Sequence, residues 1–129
     1  CKMVAKKFNI KFKFNKKFPI NSLAIMRGIL VIDKNKKRDY INKFFNAYWS
    51  LNIDLSKKKQ IVKILDELKI DKDSFFLAIK NRKTKNNLKK LTNKAYKKNI
   101  FGAPTFLVNK KIFWGQDRLE YAIEEMKKN

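Results

Sequence analysis

The chain has 129 residues, 44% of them apolar and 13% aromatic, with three Gly and two Pro, which suits one globular domain or most of a larger one and excludes a disordered or fibrous chain. One cysteine and no histidine are present, so an internal disulfide framework, a CxxC pair, a Cys-rich zinc site and any His-based triad or metal site are excluded within these residues. The net charge of +22 points first to nucleic acid as a partner.

Two features argue against that partner. Of the 33 basic residues only Arg27, Arg38, Arg82 and Arg118 are Arg, whereas phosphate and base recognition favour the planar guanidinium. The lysines also recur along the whole chain beside many Asn, Ile and Phe, a residue set that an AT-rich genome encodes. A solvated basic surface is therefore expected, with no nucleic-acid partner. The longest apolar run, Leu23 to Ile32, is broken by Arg27 and Gly28 and falls short of the roughly 18 residues of a membrane span. No membrane association is expected, and a cytoplasmic location is.

Lys2 to Phe8 reads as the end of a helix, with Met3, Val4 and Phe8 on one face. Ile10 to Phe14 alternates apolar and basic residues and predicts an extended segment or short strand. Phe18-Pro19 forces an extended turn, because the residue before Pro avoids the helical region. Asn21 or Ser22 then caps a helix to about Ile32, apolar almost all round and so expected to be buried. After a polar break at Asp33–Lys37, a helix from about Lys36 to Leu51 places Tyr40, Ile41, Phe44, Phe45 and Tyr48 inward. Ser56 is expected to cap the next, through Ile61, Ile64, Leu65 and Leu68. Asp71 or Asp73 opens a short helix through Phe75, Phe76 and Ile79. Lys83 to Lys98 carries Leu88, Leu91, Ala95 and Tyr96 on one stripe.

The pattern changes at Asn99. Thr105 to Val108 reads as a strand, Asn109-Lys110 as a tight turn and Lys111 to Trp114 as the return strand. Gly115-Gln116-Asp117 then starts a helix through Leu119, Tyr121, Ala122, Ile123 and Met126. Core packing explains nearly every one of these stripes. Asp117 fits a helix N-cap as well as a ligand carboxylate. Arg118 fits a structural ion pair, Trp114 packing under the last helix, and Asn21 a cap.

Phe101-Gly102-Ala103-Pro104-Thr105-Phe106, followed by Phe113-Trp114-Gly115-Gln116-Asp117-Arg118-Leu119, resembles the FGxPTF…FWGxDRL signature of 2-hydroxychromene-2-carboxylate isomerases, relatives of kappa-class glutathione transferases and DsbA oxidoreductases. Phe18-Pro19-Ile20-Asn21-Ser22-Leu23-Ala24-Ile25-Met26-Arg27 resembles the same family's FPxN-S/T-LxxMR stretch. The resemblance covers essentially the whole chain. It implies an α/β fold in which residues 1–14 end the N-terminal thioredoxin-fold segment, 15–98 form a mainly helical insertion, and 99–129 are the C-terminal thioredoxin half, a hairpin begun by a cis-proline plus a helix. The family's leading βαβ unit, with its catalytic Ser or Cys, is expected upstream of Cys1. No catalytic residue is assigned within the chain, and none is assigned to a metal.

The implied activity is that of a glutathione-dependent isomerase or a related glutathione transferase. Glutathione is the implied cofactor, held by the Ala103 backbone before Pro104 and by Trp114, Gly115, Gln116 and Asp117. A small aromatic or electrophilic substrate is implied beside Phe18, Pro19 and Asn21, and dimers are common in the family. A helix N-terminus after Gly115 would supply free N–H groups to the γ-glutamyl carboxylate. A DsbA-like thiol–disulfide oxidoreductase is the alternative, and a basic nucleic-acid-binding module a further one.

Overall fold

A computed structural model describes residues 1–128. It contains helices α1 (Lys2–Lys7), α2 (Leu23–Val31), α3 (Lys37–Trp49), α4 (Lys58–Glu67), α5 (Lys72–Lys80) and α6 (Arg82–Tyr96), strands β1 (Thr105–Val108) and β2 (Lys111–Trp114), and helix α7 (Leu119–Met126). The chain divides into two compact units, Cys1–Leu88 and the residues from Lys89 onward, so the division falls inside α6.

In the first unit, one face each of α3, α4 and α5 supplies a core containing Tyr40, Phe44, Ile61, Leu65, Phe75 and Ile79. Helical spacing put these residues inward, as hydrophobic periodicity does. Asp71 caps α5, its carboxylate accepting from the Ser74 N–H at 2.8 Å. The Ser74 hydroxyl, and then this N–H bond, hold the Asp71 carboxyl below the usual carboxylate range.

Several expectations for this unit are corrected. Ile10 to Phe14 is extended but joins no sheet. Only Gly28 of α2 is buried, because α2 meets its neighbours on one side only. Ile41 and Phe45 are exposed, since the buried face of α3 passes through Tyr40, Phe44, Ala47 and Tyr48. Ser56 does not cap α4: Lys57 holds that position without a side-chain bond, and the Ser56 hydroxyl donates to Asp54 instead. In the part of α6 that belongs to the second unit, Leu91 and Tyr96 of the expected stripe are likewise exposed.

The second unit follows from local chemistry. β1 and β2 pair antiparallel, with Thr105 opposite Trp114 and Val108 opposite Lys111. Asn109 and Lys110 have φ of 49° and 64°, the double left-handed turn that suits the twist of a two-residue hairpin. The Asn109 side-chain amide donates to the Glu125 carbonyl at 3.0 Å, and Glu125 itself, mostly buried, accepts from Lys111 at 2.8 Å and Lys128 at 3.2 Å. These bonds fasten α7 to the hairpin.

Candidate functional site

The open end of the hairpin gathers six of the residues singled out in the sequence. The Ala103–Pro104 bond is cis. Pairing starts at Thr105, and the Gly115 N–H reaches back to the Pro104 carbonyl at 3.0 Å. Ala103, one residue further out, is exposed and lies beyond the ladder. The Thr105 hydroxyl donates to the Gly102 carbonyl and holds this corner. Trp114, 52% exposed, lies over the Gly102 backbone, where a Cβ would run into its indole nitrogen, and its ring is 5.1 Å from that of Phe101.

Gly115 has φ of 108°, a region that favours glycine, and the Asp117 carboxylate folds back against it. Asp117 is exposed and faces only the neighbouring Arg118 at 3.7 Å, whose guanidinium also lies over the Tyr121 ring. The expected helix start is corrected here. Gln116–Arg118 is a 3₁₀ turn, the residue capping α7 is Arg118, and Asp117 caps nothing. The Arg118 N–H is already bonded to the Gly115 carbonyl at 3.2 Å, which removes one of the donors expected for an anion.

A second feature belongs to the first unit. A groove of about 290 Å³ is lined by Phe18, Pro19, Met26, Phe45, Tyr48 and Trp49, together with Ile20, Ser22, Ile25, Phe44 and Leu55. No charged side chain lines it. The Phe18–Pro19 bond is cis. Asn21 does not line the groove; its side-chain oxygen accepts from the Leu23 N–H at 3.1 Å, closing a turn just ahead of α2, whose N-cap position is held by Ser22. The Tyr48 hydroxyl is buried without a hydrogen-bond partner, and burial together with the nearby Asp54 charge pushes its pKa up, keeping it protonated.

Trp49 and Leu55 were not singled out from sequence, and Met26 was noted only within the FPxN-S/T-LxxMR stretch. Trp49 ends the α3 stripe as the residue after Tyr48, and only contact with the 10–18 segment turns it toward the groove. Among the described residues no group of three or more His, Cys, Asp or Glu side chains is placed to hold a metal, and no helix is long and apolar enough to cross a membrane.

The DSBA-like thioredoxin domain model matches residues 1–127. The chain belongs to that family. Its relatives include 2-hydroxychromene-2-carboxylate isomerases of Sphingobium xenophagum, 24% identical over 82 residues, and of Pseudomonas putida, 26% identical over 80. These matches take in 64% and 62% of this chain but 42% and 39% of the relatives. A solved structure of 2-hydroxychromene-2-carboxylate isomerase superposes with a TM-score of 0.85 at 22% identity, over 98% of this chain and 62% of that one. The chain thus has a DsbA-like thioredoxin fold and spans less than two thirds of the length of these proteins.

Proposed function

We propose that this DsbA-like chain is part of a glutathione-dependent isomerase of the 2-hydroxychromene-2-carboxylate type, or of a related glutathione transferase. The observation that carries the reading is the hairpin end. There an exposed Ala103 backbone outside the ladder adjoins the Gly115 turn, which presents an exposed Asp117 carboxylate whose ion-pair partner is the neighbouring Arg118 at 3.7 Å. An extended peptide with a terminal ammonium needs those two things: an unpaired strand edge to lie along and an anion to meet its charge. The donor set therefore fits glutathione, with Ala103 as the edge and Asp117 as the partner of the γ-glutamyl ammonium. Bound glutathione would supply a thiolate that adds to the substrate and later leaves it, unconsumed.

The apolar groove would hold the other reactant. Its aromatic and aliphatic walls exclude water and suit a flat ring system. With no cation in the lining, a carboxylated aromatic enters ring first, its carboxylate kept at the mouth. Phe18, Pro19 and Trp49 orient the ring, and Tyr48, held protonated, brings no negative charge to the lining. Dimeric assembly and a cytoplasmic location are part of the same proposal.

The test is retention of the protein carrying this chain, at its full natural length, on immobilised glutathione. Wild type is retained and eluted by free glutathione, and Asp117→Ala weakens retention about tenfold, as expected for a lost charge-assisted bond. Equal retention of the variant would remove the assigned site. The family match itself favours a second reading, a thiol–disulfide oxidoreductase. Catalysed reduction of insulin disulfides by dithiothreitol, with glutathione left out, would select it.

A further inference from the structure

We infer that Asn15 is the positioning residue of the aromatic groove, setting Phe18 and Pro19 in its wall through a buried clamp on the end of α3. This rests on the groove reading above. Asn15 is 1% exposed and is the only buried residue before Gly28. The segment's anchor is thus a polar side chain, flanked by exposed lysines and half-exposed phenylalanines.

Its side chain makes three hydrogen bonds, with both amide hydrogens donated and the oxygen accepting once. The amide donates to the Tyr48 carbonyl at 2.9 Å and the Ile53 carbonyl at 3.0 Å. Its oxygen accepts from the Lys17 N–H at 2.8 Å, and the Asn15 backbone carbonyl accepts from the Phe18 N–H at 3.1 Å. Tyr48 lies in the last turn of α3, where carbonyls lack intrahelical partners. Asn15 supplies one, and its oxygen closes the turn that aims Phe18.

Three further bonds fasten the same segment. The Lys13 N–H donates to the Trp49 carbonyl at 2.6 Å, the Ser50 hydroxyl to the Lys11 carbonyl at 2.7 Å, and the Lys16 N–H to the Asn52 side chain at 3.0 Å. The rings follow the backbone. Phe12 stacks on Trp49 at 5.8 Å, and Phe14 and Phe18 each approach it to 5.9 Å. Phe14 and Phe18 remain more than half exposed, so burial alone holds them weakly. Asn15 lies outside the hydrophobic core cluster. Two of its side-chain bonds end on backbone beside the groove and the third closes the turn leading to Phe18, a distribution that shapes the wall and not the core.

The test uses chains carrying Trp114→Phe, so that Trp49 is the single tryptophan of residues 1–129 and is excited selectively over the four tyrosines. Acrylamide quenching then reads the cover over Trp49 without any ligand. Chromone-2-carboxylate, a stable bicyclic carboxylate, reads the groove. Asn15→Ala is expected to raise quenching about twofold and weaken chromone-2-carboxylate binding about tenfold in the folded fraction, three bonds being lost. Asn15→Asp places an ionised carboxylate against two carbonyl oxygens, which raises its pKa. Its Trp49 is uncovered at about pH 8 and partly re-covered at about pH 4, where the protonated acid donates one bond; the Asn15 chain shows no such step.

Asn52→Gly keeps the left-handed backbone at that position (φ 59°) and removes one exposed bond, so it folds and gives a smaller change in the same direction. It decides the question if both Asn15 variants fail to fold. Unchanged Trp49 quenching in the folded variants overturns the role of Asn15. Absence of chromone-2-carboxylate binding in the Asn15 chain overturns the groove reading instead, and the quenching arm still decides whether Asn15 sets the wall.

Discussion

The Tyr40 side chain occupies the space that a side chain at Gly28 would need. Its hydroxyl donates to the Ile25 carbonyl at 3.0 Å, and a Cβ on Gly28 would run into that hydroxyl and into the Phe75 ring. This contact brings α2 against α3 and α5. Gly28→Ala is expected to destabilise by about 1–3 kcal/mol, the cost of overpacking, which outweighs the roughly 0.8–1 kcal/mol that Ala gains in helix propensity. Adding Tyr40→Phe should return part of that loss, although alone it costs about 1 kcal/mol through the missing hydrogen bond. Urea unfolding of the four chains reads both effects.

Lys110 stands in the left-handed region at φ 64°, which costs a residue with a Cβ about 1–2 kcal/mol relative to glycine. Lys110→Gly produces Asn-Gly, the favoured pair for this turn, and is expected to raise the thermal midpoint of the hairpin unit by a few degrees. Asn109→Gly should gain less or lose, because the Asn109 amide is spent on the Glu125 carbonyl. Thermal melts followed by circular dichroism compare the two.

Glu125 gives stability a dependence on pH. Hydrogen bonds from Lys111 and then Lys128 hold its carboxyl below the usual range. A carboxyl with a lowered folded-state pKa stabilises fully above its unfolded value, near 4.3, and that stability is lost as pH falls through the lower folded value. Glu125→Gln is therefore expected to unfold at lower urea than wild type at neutral pH, with the difference vanishing well below pH 4. A constant difference across that range would count against the ion pairs.

Gly102 lies beneath the Trp114 indole. Gly102→Ala is expected to lift the ring, shift the Trp114 emission to the red and cost about 1–3 kcal/mol. With Trp49→Phe as background, the emission reports Trp114 alone.

The hairpin was legible residue by residue. Thr105 to Val108 and Lys111 to Trp114 were read as strands, and they are the strands observed, because alternation and a two-residue turn act over neighbours in the chain. The Asp71 cap was legible for the same reason, its acceptor lying three residues from its donor. The FGAPTF and FWGQDRL runs were enough for the family, and the structure brings their ends together.

Other features depend on partners far along the chain. Helical spacing made Ile41, Phe44, Phe45 and Tyr48 equivalent, yet Phe45 is 63% exposed and Phe44 4%, since the elements packed on α3 cover only the arc through Tyr40, Phe44, Ala47 and Tyr48. No local pattern marks Asn15. It became a buried anchor because two carbonyls, 33 and 38 positions away, had nothing nearer to accept from. Local patterns follow from the order of residues, whereas the choice among equal faces and the satisfaction of stray polar groups wait until distant segments meet.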